Sequence, residues 1–219
     1  MKKFLLLLIC FLLIGCSNTK NQYPSSDNIK FSIEYEELNG RQTEDAENHY
    51  LDVQIPINAP IKYIEIDKLL SIMDENSKES AIIYFGFANC PWCRNMVEAF
   101  MDSAIENDVK EVLYFNNNEF RNTLKLSDTD EILVTKEAAE GYESLLIRLG
   151  EHASVYKGLK DDSIKRLYFP SIIFIKDGEI IKLYEGTHPD VSNPYEELTK
   201  KQYKELKETF TEYIRKVQS

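Results

Sequence analysis

The chain has 219 residues and a formal net charge of −11, from 37 Asp and Glu against 26 Lys and Arg. Acidity of that size argues against nucleic acid or a flat anionic lipid surface as a partner. Hydrophobic residues make up 43%, enough for a real core, and the length suits one domain with additions.

Met1-Lys2-Lys3 is a positively charged start, and residues 4–14 form an unbroken apolar run. A spanning helix needs about 20 apolar residues, so the run reads as the centre of a signal peptide over residues 1–15. It ends Leu13-Ile14-Gly15-Cys16, which resembles the lipobox of bacterial lipoproteins apart from Ile14, where Ala or Ser is usual. The resemblance implies cleavage before Cys16 and lipid on its thiol. The protein would then be anchored on the outer face of the bacterial cytoplasmic membrane. An ordinary secretory signal with a chance cysteine is the plainer alternative. Residues 16–30 are polar, carry Pro24 and read as a flexible tether.

An N-terminal extension over residues 31–60 follows. Phe31, Tyr35 and Leu38 lie at helical spacing, and Asn39-Gly40 would stop that helix. Leu51, Val53 and Ile55 alternate with polar residues and predict a strand ending near Pro56. The main domain is expected over 61–219. Ile66, Leu69, Leu70 and Met73 predict a short amphipathic helix. Residues 81–87 are almost continuously apolar, the pattern of a central strand buried on both faces. After Cys90-Pro91-Trp92-Cys93, the residues Met96, Val97, Phe100 and Ala104 mark a helix, and 109–115 is a second strand. Together they make a βαβ unit with a right-handed crossover.

Residues 117–165 read as an insertion, mostly charged and loop-like. Within it Tyr142, Leu145, Leu146 and Leu149 mark one helix, stopped by Gly150. That helix is expected to pack as core, and its flanking loops to form a lid over Cys90. Two strands, 171–176 and 179–184, flank Asp177-Gly178, a strong hairpin signal. Thr199 and Gln202 form a capping box that opens a last helix, with Tyr203, Leu206, Phe210, Tyr213 and Val217 inward.

Cys10 lies inside the leader and Cys16 ends it, so Cys90 and Cys93 are the only dithiol left. A lone Cys-x-x-Cys between a strand and a helix reads as a redox motif. Pro91 suits the first helical turn, and the unpaired amides there stabilise a thiolate on Cys90, the expected nucleophile. Cys93, one turn further in, is the expected resolving thiol. Trp92 is expected to form an exposed apolar lip for substrate. Three other uses of the motif fit less well. A structural disulfide would close a very short, labile loop. Zinc needs about four ligands, and His49, His152 and His188 are scattered and read as surface or loop residues. Haem attachment needs His where Arg94 stands.

The order strand, Cys90-Pro91-Trp92-Cys93, helix, strand, then Phe169-Pro170 opening a hairpin before a final helix resembles the thioredoxin fold. The resemblance implies an α/β fold with a mixed central sheet flanked by helices. It also implies a cis bond between Phe169 and Pro170, packed beside the dithiol, with the Phe169 backbone left for an extended substrate. Tyr84-Phe85-Gly86-Phe87 and Phe174-Ile175-Lys176-Asp177-Gly178 are similar to strings of thioredoxin-like, bacteriocin-transport-accessory-like lipoproteins of Gram-positive bacteria. That family implies thiol–disulfide exchange on exported proteins or peptides, by a monomer without a cofactor, coupled to a membrane redox partner. The competing class is a redox-silent binding module for a secreted peptide or protein. Two positions depart from thioredoxin. Its buried acid, six residues before the first cysteine, is Tyr84 here, and its preceding Trp is Asn89. With Tyr84 in that place, water or a carboxylate from 117–165 would have to deprotonate Cys93.

Overall fold

The computed structural model describes residues 25–74, 76–116 and 118–219. The signal peptide expected at 1–15, the lipidation expected at Cys16 and most of the tether lie outside the described residues. Among the described residues no helix is long and apolar enough to cross a membrane.

The first helix, α1 (Ser26–Glu36), starts inside the stretch expected to be tether. Ser25 is its N-cap, accepting the Asn28 N–H at 3.1 Å, so the polar residues there are a helix start and not linker. Phe31 and Tyr35 are fully buried, and they fix the helix to the domain. Residues 51–55 correct a second expectation. Val53 and Ile55 are buried, as alternation requires, yet the segment joins no sheet. Side chains take the place of a partner strand. Asn39 accepts the Val53 N–H at 3.0 Å and donates to the Val53 carbonyl at 2.8 Å. Glu36 accepts from Ile55 N–H at 2.7 Å, and Glu98 accepts from Gln54 N–H. Alternation reports which side chains are buried, and it is silent on where the backbone bonds go.

The remaining elements are β1 (Ile61–Tyr63), α2 (Ile66–Ile72), β2 (Ala81–Phe85), α3 (Pro91–Glu106) and β3 (Val112–Phe115), then β4 (Thr123–Leu126), β5 (Ile132–Lys136) and α4 (Tyr142–Leu149). They end with β6 (Ser154–Val155), β7 (Lys165–Arg166), β8 (Ser171–Lys176), β9 (Glu179–Glu185) and α5 (Lys200–Gln218). β3 starts later than expected because Asp108, at φ 53°, and Val109, whose N–H bonds Ala104, still belong to the turn that closes α3. The insertion is more regular than its composition suggests. It carries the β4–β5 hairpin and α4, and β6 and β7 pair across its end. β5 hides in the sequence because Ile132, Leu133 and Val134 are all exposed and follow no inside–outside alternation.

Five strands form one mixed sheet in the order β1-β3-β2-β8-β9. β1, β3 and β2 are parallel, β8 is antiparallel to β2, and β9 antiparallel to β8. The β8–β9 connection is the expected two-residue turn, with φ 51° at Asp177 and 87° at Gly178. A Cβ on residue 178 would lie 2.0 Å from the Ser77 carbonyl oxygen, so glycine is required there by space as well as by φ. Successive strand residues feed opposite faces. Ile82, Tyr84, Val112, Tyr114, Ile172 and Phe174 meet α1, α3 and α5 on one face. Ile83, Phe85, Leu113, Phe115, Ile173 and Ile175 meet α2 and α4 on the other. α4 is therefore core, as its spacing predicts, with Tyr142, Leu145 and Leu149 fully buried. Thr199 and Gln202 close the capping box of α5, and Leu206, Phe210 and Ile214 form its innermost stripe, with Tyr203, Tyr213 and Val217 packed beside it.

Candidate functional site around Cys90 and Cys93

β2 ends at Phe85, and a short loop carries the chain to Cys90, the N-cap of α3, with Pro91 in the first turn. Both cysteines are free thiols; Cys90 is 6% exposed and Cys93 fully buried. The Cys90 sulfur does the work a cap oxygen usually does: it accepts the Cys93 N–H at 3.2 Å. Burial alone would raise the Cys90 thiol pKa. Hydrogen bonding from Cys93, the Arg121 charge and the Trp92 backbone N–H outweigh it, so the thiol lies below its ordinary value. Cys93 goes the other way. Burial, then hydrogen bonding to and repulsion from Cys90, push its thiol well up. The two sulfurs, one turn apart, are therefore chemically unequal.

Arg121 is the contribution of the insertion, and the motif gave no hint of it. Its guanidinium carbon lies 4.0 Å from the Phe169 ring centroid, Nη1 donates to the Leu167 carbonyl at 3.0 Å, and buried Nε has no protein partner. The segment thus brings a positive charge to bear on Cys90, where the expectation was a base from water or a carboxylate. Arg121→Gln should raise the Cys90 pKa and lower the thiolate fraction below it. Alkylation by iodoacetamide near pH 6 is expected to slow about three- to tenfold, with Arg121→Lys partly restoring the rate. An unchanged rate–pH profile would leave the thiolate to the helix terminus alone.

Of the residues expected to bind substrate, Phe169 and Trp92 share the apolar cluster of Cys90 and Cys93. Phe169 packs edge-on against Phe87, with ring centroids 5.5 Å apart. The Phe169-Pro170 bond is cis, and Pro170 is buried at the entrance to β8. The Phe169 backbone takes part in none of the hydrogen bonds that pin Leu167, Tyr168 and Pro170 around it. Trp92 is corrected in one respect: it is half-buried against the cluster and not an exposed lip. His49 and His152 are exposed. His188, though in a loop, is buried, with Nε2 3.1 Å from Glu205 and Nδ1 accepting the Asp190 N–H.

Arg94, which stands where haem attachment would need His, is 2% exposed on α3. Nε donates to the Leu51 carbonyl at 2.7 Å, Nη1 to the carbonyls of Tyr35 at 2.7 Å and Ala88 at 3.2 Å, and Nη2 to Asn39 Oδ1 at 2.7 Å. It ties the motif helix to the N-terminal extension. Among the described residues no three His, Cys, Asp or Glu side chains gather as a metal site. Scanned against models of known protein families the chain matches none, and comparison with curated proteins finds no match.

Proposed function

We propose that this chain is an extracytoplasmic thiol–disulfide oxidoreductase of thioredoxin-like fold, held on the membrane through Cys16. The observation that carries the reading is the inequality of the two sulfurs. Cys90 caps α3 and is biased toward thiolate, while Cys93 is sealed beneath it and biased toward thiol. Cys90 attacks one sulfur of a substrate disulfide, forming a Cys90–substrate bond and releasing the other substrate sulfur as thiolate. Cys93 then attacks Cys90, forming the Cys90–Cys93 disulfide and expelling the second substrate thiol. Run in reverse, the same steps insert a disulfide into an exported protein. A membrane redox partner would exchange the two electrons.

Several features support this reading. The order of three parallel and two antiparallel strands, α3 following β2 through the motif, and Phe169-Pro170 leading into β8 fit the thioredoxin resemblance. Phe87, Trp92 and Phe169 supply apolar surface beside the sulfurs for a polypeptide substrate. The test is to quench growing cells in acid, alkylate with a mass-tagged maleimide, and ask whether Cys90 and Cys93 cycle between dithiol and disulfide. The purified full chain should also exchange with a cystine-bearing peptide. A dithiol fixed in one state, inert to that peptide, would replace this reading with that of a binding module.

A further inference from the structure

Away from the dithiol, a groove is lined by α1, by residues 54–57, and by α3 with Tyr203 of α5. The 54–57 strap is tied to both helices. Glu36 of α1 accepts the Ile55 N–H at 2.7 Å, and Glu98 of α3 accepts the Gln54 N–H. Asn28 of α1 donates to the Ile57 carbonyl at 3.4 Å. The groove encloses about 780 Å³, within the roughly 300–1,000 Å³ usual for clefts that hold ligands. None of its lining residues belongs to the apolar cluster around Cys90 and Cys93.

Its two sides differ in chemistry. On α1, Ile29 and Ile33 stand one turn apart and are 48% and 57% exposed, and Ile57 of the strap is 72% exposed. Single surface isoleucines need no explanation. Here three of the seven large hydrophobics exposed among the described residues line one groove. The α3 side is acidic. Glu98 and Asp102 also stand one turn apart, each with one oxygen fixed, Glu98 by Gln54 N–H and Asp102 by the Tyr203 hydroxyl at 2.7 Å. No Lys, Arg or His is among the described residues lining the groove. Arg94, one turn before Glu98, gives its donors to Leu51, Tyr35, Ala88 and Asn39. Lys207 lies 3.9 Å from Asp102 and 2.6 Å from Glu106. Burial pushes the Glu98 carboxyl above its ordinary pKa, and the Asp102 and Glu197 charges add to it.

We propose that this groove docks a lysine- or arginine-rich amphipathic segment of a polypeptide partner, with its apolar face on Ile29, Ile33 and Ile57 and its basic edge along Glu98 and Asp102. The inference goes beyond the exchange reading and does not depend on it. A wholly apolar ligand would strip water from two carboxylates and leave them unpaired. A small cation would leave the isoleucines in water. A basic amphipathic helix meets both sides at once, because its apolar stripe and its charged edge run side by side. The acidic edge repels an anionic lipid surface, and a second copy of a chain of net charge −11 meets the same repulsion.

The experiment titrates the purified full chain into a fluorescent leucine–lysine peptide patterned as an amphipathic helix and reads anisotropy. A leucine–glutamate peptide of the same pattern is the control. The lysine peptide should bind saturably and the glutamate peptide should not. Glu98→Gln combined with Asp102→Asn removes both charges yet keeps oxygens for the Gln54 N–H and the Tyr203 hydroxyl. It should weaken binding about tenfold. Ile33→Ser, at an exposed position, should weaken it about fivefold. Salt at about 0.5 M should weaken the wild type more than the charge variant. Amide shifts on binding should centre on Ile29, Ile33 and Gln54. Either folded variant binding as tightly as wild type overturns the proposal, as does equal binding of the glutamate peptide or no saturable binding at all. A chain that binds neither peptide and forms a dimer broken by Ile33→Ser overturns it in favour of a second copy. The readout is binding and not thiol chemistry, so a chain inert in exchange leaves this inference standing, and a chain that ignores the peptide leaves the exchange reading standing.

Discussion

Cys93→Ser is expected to turn the chain into a trap that accumulates mixed disulfides, while Cys90→Ser forms none. The Cys93→Ser variant keeps the nucleophile at the α3 N-terminus under the influence of the Arg121 charge, and it keeps the backbone N–H of residue 93 that Cys90 accepts. It loses only the thiol that would expel the substrate. Each captured partner then waits for an outside thiol. With exchange otherwise completed by a sulfur one turn away, the lifetime of the intermediate should rise by more than a hundredfold, since effective molarities of well-placed groups exceed about 10⁵ M at their best. Cys90→Ser leaves one fully buried thiol whose pKa burial pushes well up, a poor nucleophile that substrate cannot reach. Non-reducing gels of acid-quenched cells, with bands cut and identified, check both variants. Equal or stronger trapping by Cys90→Ser would reverse the two roles.

Arg94→Met is expected to give the largest loss of stability among single changes on α3. Methionine fills much of the same space, but three backbone carbonyls lose this donor in the interior, and Asn39 Oδ1 keeps only the Val53 N–H. Each buried acceptor left unpaired costs about 1–3 kcal/mol, partly offset because a desolvated charge is removed. A net loss of about 3–5 kcal/mol follows, or roughly 10 °C in a domain of this size. Lysine should rescue little, because one ammonium cannot reach acceptors that the planar guanidinium spans. Thermal unfolding gives the magnitude. Hydrogen exchange gives the place: protection should fall first in α1, whose Tyr35 carbonyl Arg94 holds. A melting point within about 2 °C of wild type would count against this account.

The parts of the molecule legible in sequence are those whose cause is local. β2 declares itself by a continuous apolar run, the β8–β9 hairpin by Asp177-Gly178, α5 by its Thr199–Gln202 box, and Cys90 by Pro91 and Cys93. β1 is three residues long and exists because β3 offers Val112, Leu113 and Tyr114 to pair with. Residues 51–55 look like a strand because their side chains alternate in burial, while Asn39, Glu36 and Glu98 take the backbone. The β4–β5 hairpin has no inward face along β5 to read. In the site, Cys90, Cys93, Phe169 and Pro170 could be named from spacing and resemblance, and Tyr84 stood out as a departure. Arg94, Arg121 and Tyr35 could not be named. Each matters through a neighbour distant in the chain, and a charged or phenolic side chain gives no local sign of a partner that far away.

The first helix has a mechanical meaning. Ser25 caps α1, the first described helix, which carries Tyr35, whose carbonyl Arg94 of α3 holds. Eleven helical residues span about 16 Å. A pull or a restraint applied at Ser25 therefore reaches α3, and Cys90 at its start, along a stiff rod that Arg94 clamps in place.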